Sequence, residues 1–333
     1  MAREWRLKAR PAGLPGMDCF ELADTPPMPL AEGEVRVANR WLSVDPYMRG
    51  RMVDRPSYIP PFQLGVPLEG GAIGVVEESR AEALRPGDLV SHMMGWREVA
   101  QGQARLFEKL PALGGVPEQA FLGALGMPGM TAWAGLFEVG QIKAGETLFV
   151  SGAAGAVGQI ACQIGKLSAL TVIGSAGGPQ KCAYVRSLGA DHVIDYRATS
   201  DLKAALREAA PRGIDVYFDN VGGDHLEAAI AAARPFARLV ECGMIADYNA
   251  EGETPGPRNM MMVIGKRLRI QGFIVFDFIA RRPQFLEQMM GWVRAGQLRW
   301  EETILEGIER VPEAFLGLFT GANTGKMLVR LAA

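Results

Sequence analysis

Glycines at 152, 155 and 158 punctuate the stretch SGAAGAVG, the first place in this 333-residue chain where residue type and spacing suggest chemistry. Small residues let a main chain approach a ligand closely. A helix that begins near Val157 would add unpaired N–H groups and a positive dipole end, which together suit a pyrophosphate. The dinucleotide fingerprint is G-x-G-x-x-G, whereas the spacing here is G-x-x-G-x-x-G. Two readings follow, a phosphate cradle or a tight strand-to-helix turn. The strand–helix units downstream favour the cradle, with a strand ending at Gly152 and Gly158 allowing close contact between helix and sheet.

The second strand bears on which dinucleotide. An NAD site places Asp or Glu at that strand's end, on the ribose hydroxyls. Here the segment reads TVIGSAGGPQK, with no acid between Thr171 and Lys181. A 2′-phosphate would meet Ser175, the Gly177–Gly178 backbone and Lys181, with no carboxylate to repel it. The expected cofactor is therefore NADPH. A metal is not expected. His92, His192 and His225 share no short motif with Cys19, Cys162, Cys182 or Cys242, and residues 80 to 120 lack the four close ligands of a structural zinc lobe.

These residues need elements to hold them. From about 147 to 300, apolar runs (TLFVSG, TVIGSAG, HVIDY, IDVYFDNVG, RLVECGM, RIQGFIV) alternate with helix-like segments of about a dozen residues. That alternation predicts an α/β domain with a doubly wound parallel sheet covered on both faces. Residues 1–124 carry short strands broken by turn residues and predict a β domain. The last thirty residues return to that style and end in a strand. The expected division is a β domain of 1–124 and 301–333 with 125–300 inserted as the cofactor domain.

A net charge of −2 supplies no field to gather nucleic acid or an anionic membrane. The longest weakly charged run, Leu122 to Phe137, is broken by Gly and Pro and is too short to span a bilayer. The basic N-terminus lacks an apolar signal core, and scattered cysteines suit a reducing compartment, so a cytoplasmic protein is expected.

LSVDPYMRGRM (42–52), LGMPGMTAWAGL (125–136), SGAAGAVGQIACQIGKL and GANTGKMLVR (321–330) resemble the medium-chain dehydrogenase/reductase superfamily. Within it they look like the zinc-free branch of leukotriene B4 12-hydroxydehydrogenase, prostaglandin reductases and alkenal double-bond reductases. The resemblance spans nearly the whole chain. It implies a Rossmann domain inserted in a GroES-like β-barrel domain, a homodimer, and NADPH-dependent reduction of the C=C bond of an enone or alkenal.

By motif it implies that Tyr248 lies near the substrate carbonyl, with Tyr58 and Tyr47 on the substrate side. Cofactor contacts carry over to Gly152, Gly155, Ala156, Val157, Ser175, Lys181, Tyr196, Asn220, Gly243, Tyr248 and Asn323. Met127 and Thr131 would seat the nicotinamide or its phosphates, and Phe273, Ile274 and Val275 the carboxamide. Trp133 stands where many relatives carry tyrosine, a departure that bears on pocket shape. Quinone reduction of the zeta-crystallin type is the alternative activity, and a non-enzymatic NADPH-binding protein or a zinc alcohol dehydrogenase are weaker ones.

Overall fold

Leu148, Phe149 and Val150, like Val172 and Ile173 and like Val216, Tyr217 and Phe218, are wholly buried side by side along their strands. Strands with no solvent face are what a parallel sheet covered by helices requires. The computed structural model describes residues 1–26 and 28–331. It divides into two compact units, one of Met1–Leu122, Glu302–Asn323 and the chain from Met327 on, the other of Gly123–Glu301 with Thr324–Lys326.

The first unit starts with β1 (Ala2–Leu7) and β2 (Phe20–Thr25), an antiparallel pair. It continues with β3 (Glu34–Ser43), α1 (Met48–Arg51), β4 (Ala72–Ser79), β5 (Leu89–His92), β6 (Val99–Gln103) and β7 (Glu108–Lys109). The second unit holds α2 (Met127–Ala134), β8 (Thr147–Val150), α3 (Gly158–Leu167), β9 (Thr171–Ala176), α4 (Pro179–Ser187), β10 (His192–Asp195) and α5 (Leu202–Ala209). There follow β11 (Ile214–Asp219), α6 (Gly223–Ala232), β12 (Ala233–Glu241), α7 (Met261–Lys266), β13 (Arg269–Gly272) and α8 (Arg282–Arg294). The chain closes with β14 (Glu302–Glu306), α9 (Val311–Thr320) and β15 (Lys326–Arg330).

Among the described residues the second unit carries one sheet in the order β10-β9-β8-β11-β12-β13, every neighbouring pair parallel. The order reverses direction between β8 and β11, the kind of switch point where doubly wound sheets bind ligands. The other unit's larger sheet runs β14-β15-β3-β4-β5-β7, with β6 also paired to β3. Its main core gathers Leu7, Phe20, Leu42, Met48, Trp96, Val311 and Phe315. Each such fully buried side chain contributes about 1.5–3 kcal/mol.

Two expectations are corrected. RIQGFIV does not stay extended, because β12 offers partners only from Arg238 to Glu241, so β13 stops at Gly272. Residues Val275–Arg281 then form a 3-10 helix, while the Phe273 ring packs against Phe218 and Phe278. The final segment is also not purely strand and turn. Buried Val311, Ala314 and Phe315 recur at helical spacing and make α9.

Candidate functional site

The glycine turn is built on a backbone contact. Gly152 has φ +59°, a conformation that favours glycine. A Cβ on Gly158 would lie 2.3 Å from the Gly152 carbonyl oxygen, so only glycine lets α3 begin this close to the end of β8. The Gly155 N–H donates to Gly152 O at 3.0 Å, and the Gly155 carbonyl accepts the Gln159 N–H at 3.0 Å. Val157 is the N-cap of α3 and Ala156 precedes it, beside the first helical N–H groups that a helix leaves without intrahelical partners. Opposite, the Ala154 carbonyl accepts the Gly325 N–H at 2.7 Å. The arrangement can hold an anion by backbone donors alone.

At the end of β9 the picture is richer than the sequence suggests. A Cβ on Gly177 would meet Tyr196 Oη at 2.6 Å and Arg197 Nε at 2.9 Å, so Gly177, Tyr196 and Arg197 converge. Lys181, on the first turn of α4, is half-buried. Burial and then the nearby Arg197 guanidinium hold its pKa below the ordinary lysine value. Positive charges this near one another are each favoured by an added negative charge. Arg197 was not among the expected residues, because its approach depends on β10 lying beside β9 in parallel register.

The expectation of no carboxylate at this loop is corrected. Asp195 Oδ1 accepts the Gly178 N–H at 2.9 Å and the Arg197 N–H at 3.0 Å, and the backbone bond from Gly178 first of all lowers its pKa. The acid comes from the next strand, and it occupies the Gly178 donor assigned to a phosphate. Ser175 is wholly buried and its Oγ has no partner among the described residues.

The ends of β11 and β12 form a third group. Asn220 donates its side-chain N–H to Ser151 O at 2.7 Å, and its backbone N–H to Ser151 Oγ at 2.8 Å. This leaves the Asn220 amide oxygen as the acceptor. Tyr248 folds back over the turn after β12. Its hydroxyl accepts the Met244 N–H at 3.4 Å, and a Cβ on Gly243 would sit 2.9 Å from it. Met127 opens α2, and the Thr131 hydroxyl donates to the Met127 carbonyl at 2.8 Å. Ile274 precedes the 3-10 helix that Val275 opens. Trp133 is buried, donates to Gln288 Oε1 at 2.7 Å and meets Phe285 edge to face. Its indole therefore acts within the packing of α2 on α8.

In the first unit, Tyr47 and Tyr58 are neighbours, and Tyr58 is 58% exposed. The Tyr47 hydroxyl is buried without a partner among the described residues, and burial drives its pKa well up. Asn323 is half-buried just before Thr324–Lys326. His92 is structural: its Nδ1 accepts the Met94 N–H at 3.0 Å and its Nε2 faces Asn39 Oδ1 at 2.9 Å. Burial lowers its pKa to about 3. His225 lies between the rings of Phe149 and Tyr196. Among the described residues no group of three or more His, Cys, Asp or Glu side chains is arranged to hold a metal ion.

The backbone contact at Gly158 yields a direct test. Gly158→Ala should destabilise the protein by about 1–3 kcal/mol through overpacking against an atom that cannot rotate away, read as a lower urea midpoint. An unchanged midpoint would mean that the turn yields freely.

Family models match residues 3–110, described as the N-terminal domain of oxidoreductase, and residues 156–293, described as zinc-binding dehydrogenase. The chain is 40% identical over 340 residues to NADPH-dependent curcumin reductase of Escherichia coli, covering 99% of this chain and 97% of the relative. It is 41% identical over 312 residues to the NADP(+)-dependent 2-alkenal reductase of Nicotiana tabacum, covering 92% and 89%. The crystal structure of CurA from Vibrio vulnificus in complex with NADPH superposes with a TM-score of 0.93 at 38% identity, covering 99% of each chain. The chain belongs to the medium-chain dehydrogenase/reductases, in the branch of the NADP-dependent alkenal, curcumin and prostaglandin reductases.

Proposed function

We propose that this protein is an NADPH-dependent reductase of the conjugated C=C bond of α,β-unsaturated ketones and aldehydes. The observation that carries the cofactor reading is Lys181 and Arg197 pressing together beside a strand end that lacks its own acid. That cation pair suits a 2′-phosphate, and the Gly152–Gly158 turn suits a pyrophosphate. When bound, NADPH supplies hydride donation to the β-carbon, with a proton reaching the α-carbon. The relatives named for alkenal and curcumin reduction support that acceptor class.

The chain's own part is to bind, orient and stabilise. Backbone N–H groups of Ala156 and Val157 would hold the pyrophosphate, and the Asn220 amide oxygen would accept a ribose hydroxyl. A substrate carbonyl gains negative charge as the reaction proceeds, so hydroxyl donors aimed at it accelerate the step. Tyr248 of the second unit and Tyr47 and Tyr58 of the first are, by the motifs they stand in, the hydroxyl donors of this reading. The free cysteines are compatible with the cytoplasm. In the sheet order β13 has a neighbour on one side only, and a second copy adding its own β13 there would make the homodimer.

An acceptor series run with NADPH and NADH tests the reading. Lys181→Ala should raise the KM for NADPH about 10- to 100-fold, the worth of one charge-assisted hydrogen bond, and affect NADH far less. Tyr248→Phe should lower kcat for an alkenal by about 100-fold, as loss of an oxyanion donor does. Preference of the unaltered protein for NADH would refute the cofactor reading. Turnover of quinones with none of any conjugated alkenal would replace the activity.

A further inference from the structure

A second polar cluster lies at the carboxyl ends of β11 and β12. Asp219 and Glu241 are register partners across these two parallel strands, so their side chains leave the sheet on the same face. Asp219 is wholly buried. Its Oδ1 accepts three donors, Ser151 Oγ at 2.9 Å, the Val221 N–H at 2.8 Å and the Gly222 N–H at 2.8 Å. Its Oδ2 and both Glu241 carboxyl oxygens are shut off from solvent and accept no hydrogen bond among the described residues, although the Tyr217 hydroxyl also lies near Asp219. The two carboxyls are within hydrogen-bonding reach of each other. Two ionised carboxylates in a dry site pay both desolvation and mutual repulsion. A proton between them removes both penalties.

We propose that Glu241 and Asp219 share one proton as an acid–carboxylate pair, and that this pair positions the Asn220–Gly222 turn. The role toward the cofactor rests on the NADPH reading above, because it acts through Asn220. Asp219 also accepts the Cys242 and Gly243 N–H groups on its main-chain oxygen at 3.0 and 3.1 Å. Ser151, which donates to Asp219, in turn accepts the Asn220 N–H. Moving the Asp219 carboxylate would therefore disturb Asn220 and Gly243 together. Glu241 is a positioning residue that acts by keeping that carboxylate singly charged and in place.

Among Glu241, Tyr217, Cys242 and His225, Glu241 is the one that titrates between pH 7 and pH 9. Burial pushes Tyr217 of β11 well above its usual value and Cys242 up to about 12. Burial lowers His225 of α6, although the Asp219 charge opposes that shift. Burial and then the Asp219 charge raise Glu241 from 4.5 to about 8. The folded chain thus keeps a proton that the unfolded chain releases. Stability from this pair is full below pH 4.5, declines as pH rises and is lost beyond about 8.

The test compares the unaltered protein with Glu241→Gln, whose amide can donate to Asp219 without titrating, and with Glu241→Ala, which cannot donate. Thermal unfolding without cofactor is followed across pH, and NADPH and NADH affinities are measured by fluorescence. NADH lacks the 2′-phosphate, so titration of Lys181 drops out of its profile. For the unaltered protein, Kd for both cofactors should rise about tenfold from pH 7 to pH 9, as expected for a group titrating near 8. Glu241→Gln should flatten that rise and the loss of Tm, while Glu241→Ala should bind weakly at both pH values.

Identical pH profiles for the unaltered protein and Glu241→Gln would overturn the proposal. A difference in Tm alone, with identical cofactor profiles, would overturn the positioning role. If neither cofactor binds at all, the functional reading fails, while the Tm profiles still decide whether the pair exists. If Glu241→Gln does not fold, the infrared carbonyl band of the unaltered protein decides: a protonated carboxyl band lost between pH 7 and pH 9 supports the shared proton, and its absence at pH 7 overturns it.

Discussion

Gly152 and Gly158 bring the end of β8 and the start of α3 into backbone contact, and the rest of the second unit is arranged around that contact. Ser151, one residue before it, ties Asp219 and Asn220 to the turn. The Ala153 N–H donates to the Ser175 carbonyl at 2.9 Å, which draws β9 in. Gln159, one residue after it, bonds both the N–H and the carbonyl of Glu301 and accepts the Tyr184 hydroxyl. Gln163, one turn further along α3, does the same for Arg299. A side chain at Gly158 would push against all of these at once, because α3 carries both glutamines.

Such a turn also explains how a strand-end site is assembled from distant segments. The parallel sheet lines up the carboxyl ends of β8, β9, β11 and β12, so Gly152, Gly177, Asn220 and Gly243 come to one edge although they are spread over some ninety residues. Charge is then distributed along that edge. Lys181 and Arg197 gather positive charge beyond β9, whereas Asp219 and Glu241 gather acid at the ends of β11 and β12. Lys181 is half-buried and Arg197 exposed, so the first accumulation is the more open to solvent. The second is dry and bonds mostly to the protein's own backbone.

Local pattern makes much of this legible in the sequence. The alternation of apolar strands with helices, and the Gly-rich turn between β8 and α3, are properties of contiguous residues, so the parallel-sheet fold is legible in them. What depends on register between strands is not. Asp195 and Arg197 reach the end of β9 only because β10 lies beside it, and the Asp219–Glu241 pairing exists only across β11 and β12. The early end of β13 has the same origin, since nothing in RIQGFIV states where β12 stops offering partners. Trp133 reads as a pocket residue by motif, yet its indole is taken up by Gln288 of α8, a partner 155 positions away.

The chain orients a conjugated acceptor so that hydride reaches the β-carbon and not the carbonyl carbon. Turnover with NADPH deuterated at the transferable position, followed by NMR of the product, examines that claim most directly. Deuterium is expected on the former β-carbon of a saturated aldehyde or ketone. Deuterium on the carbonyl carbon of an allylic alcohol would contradict it.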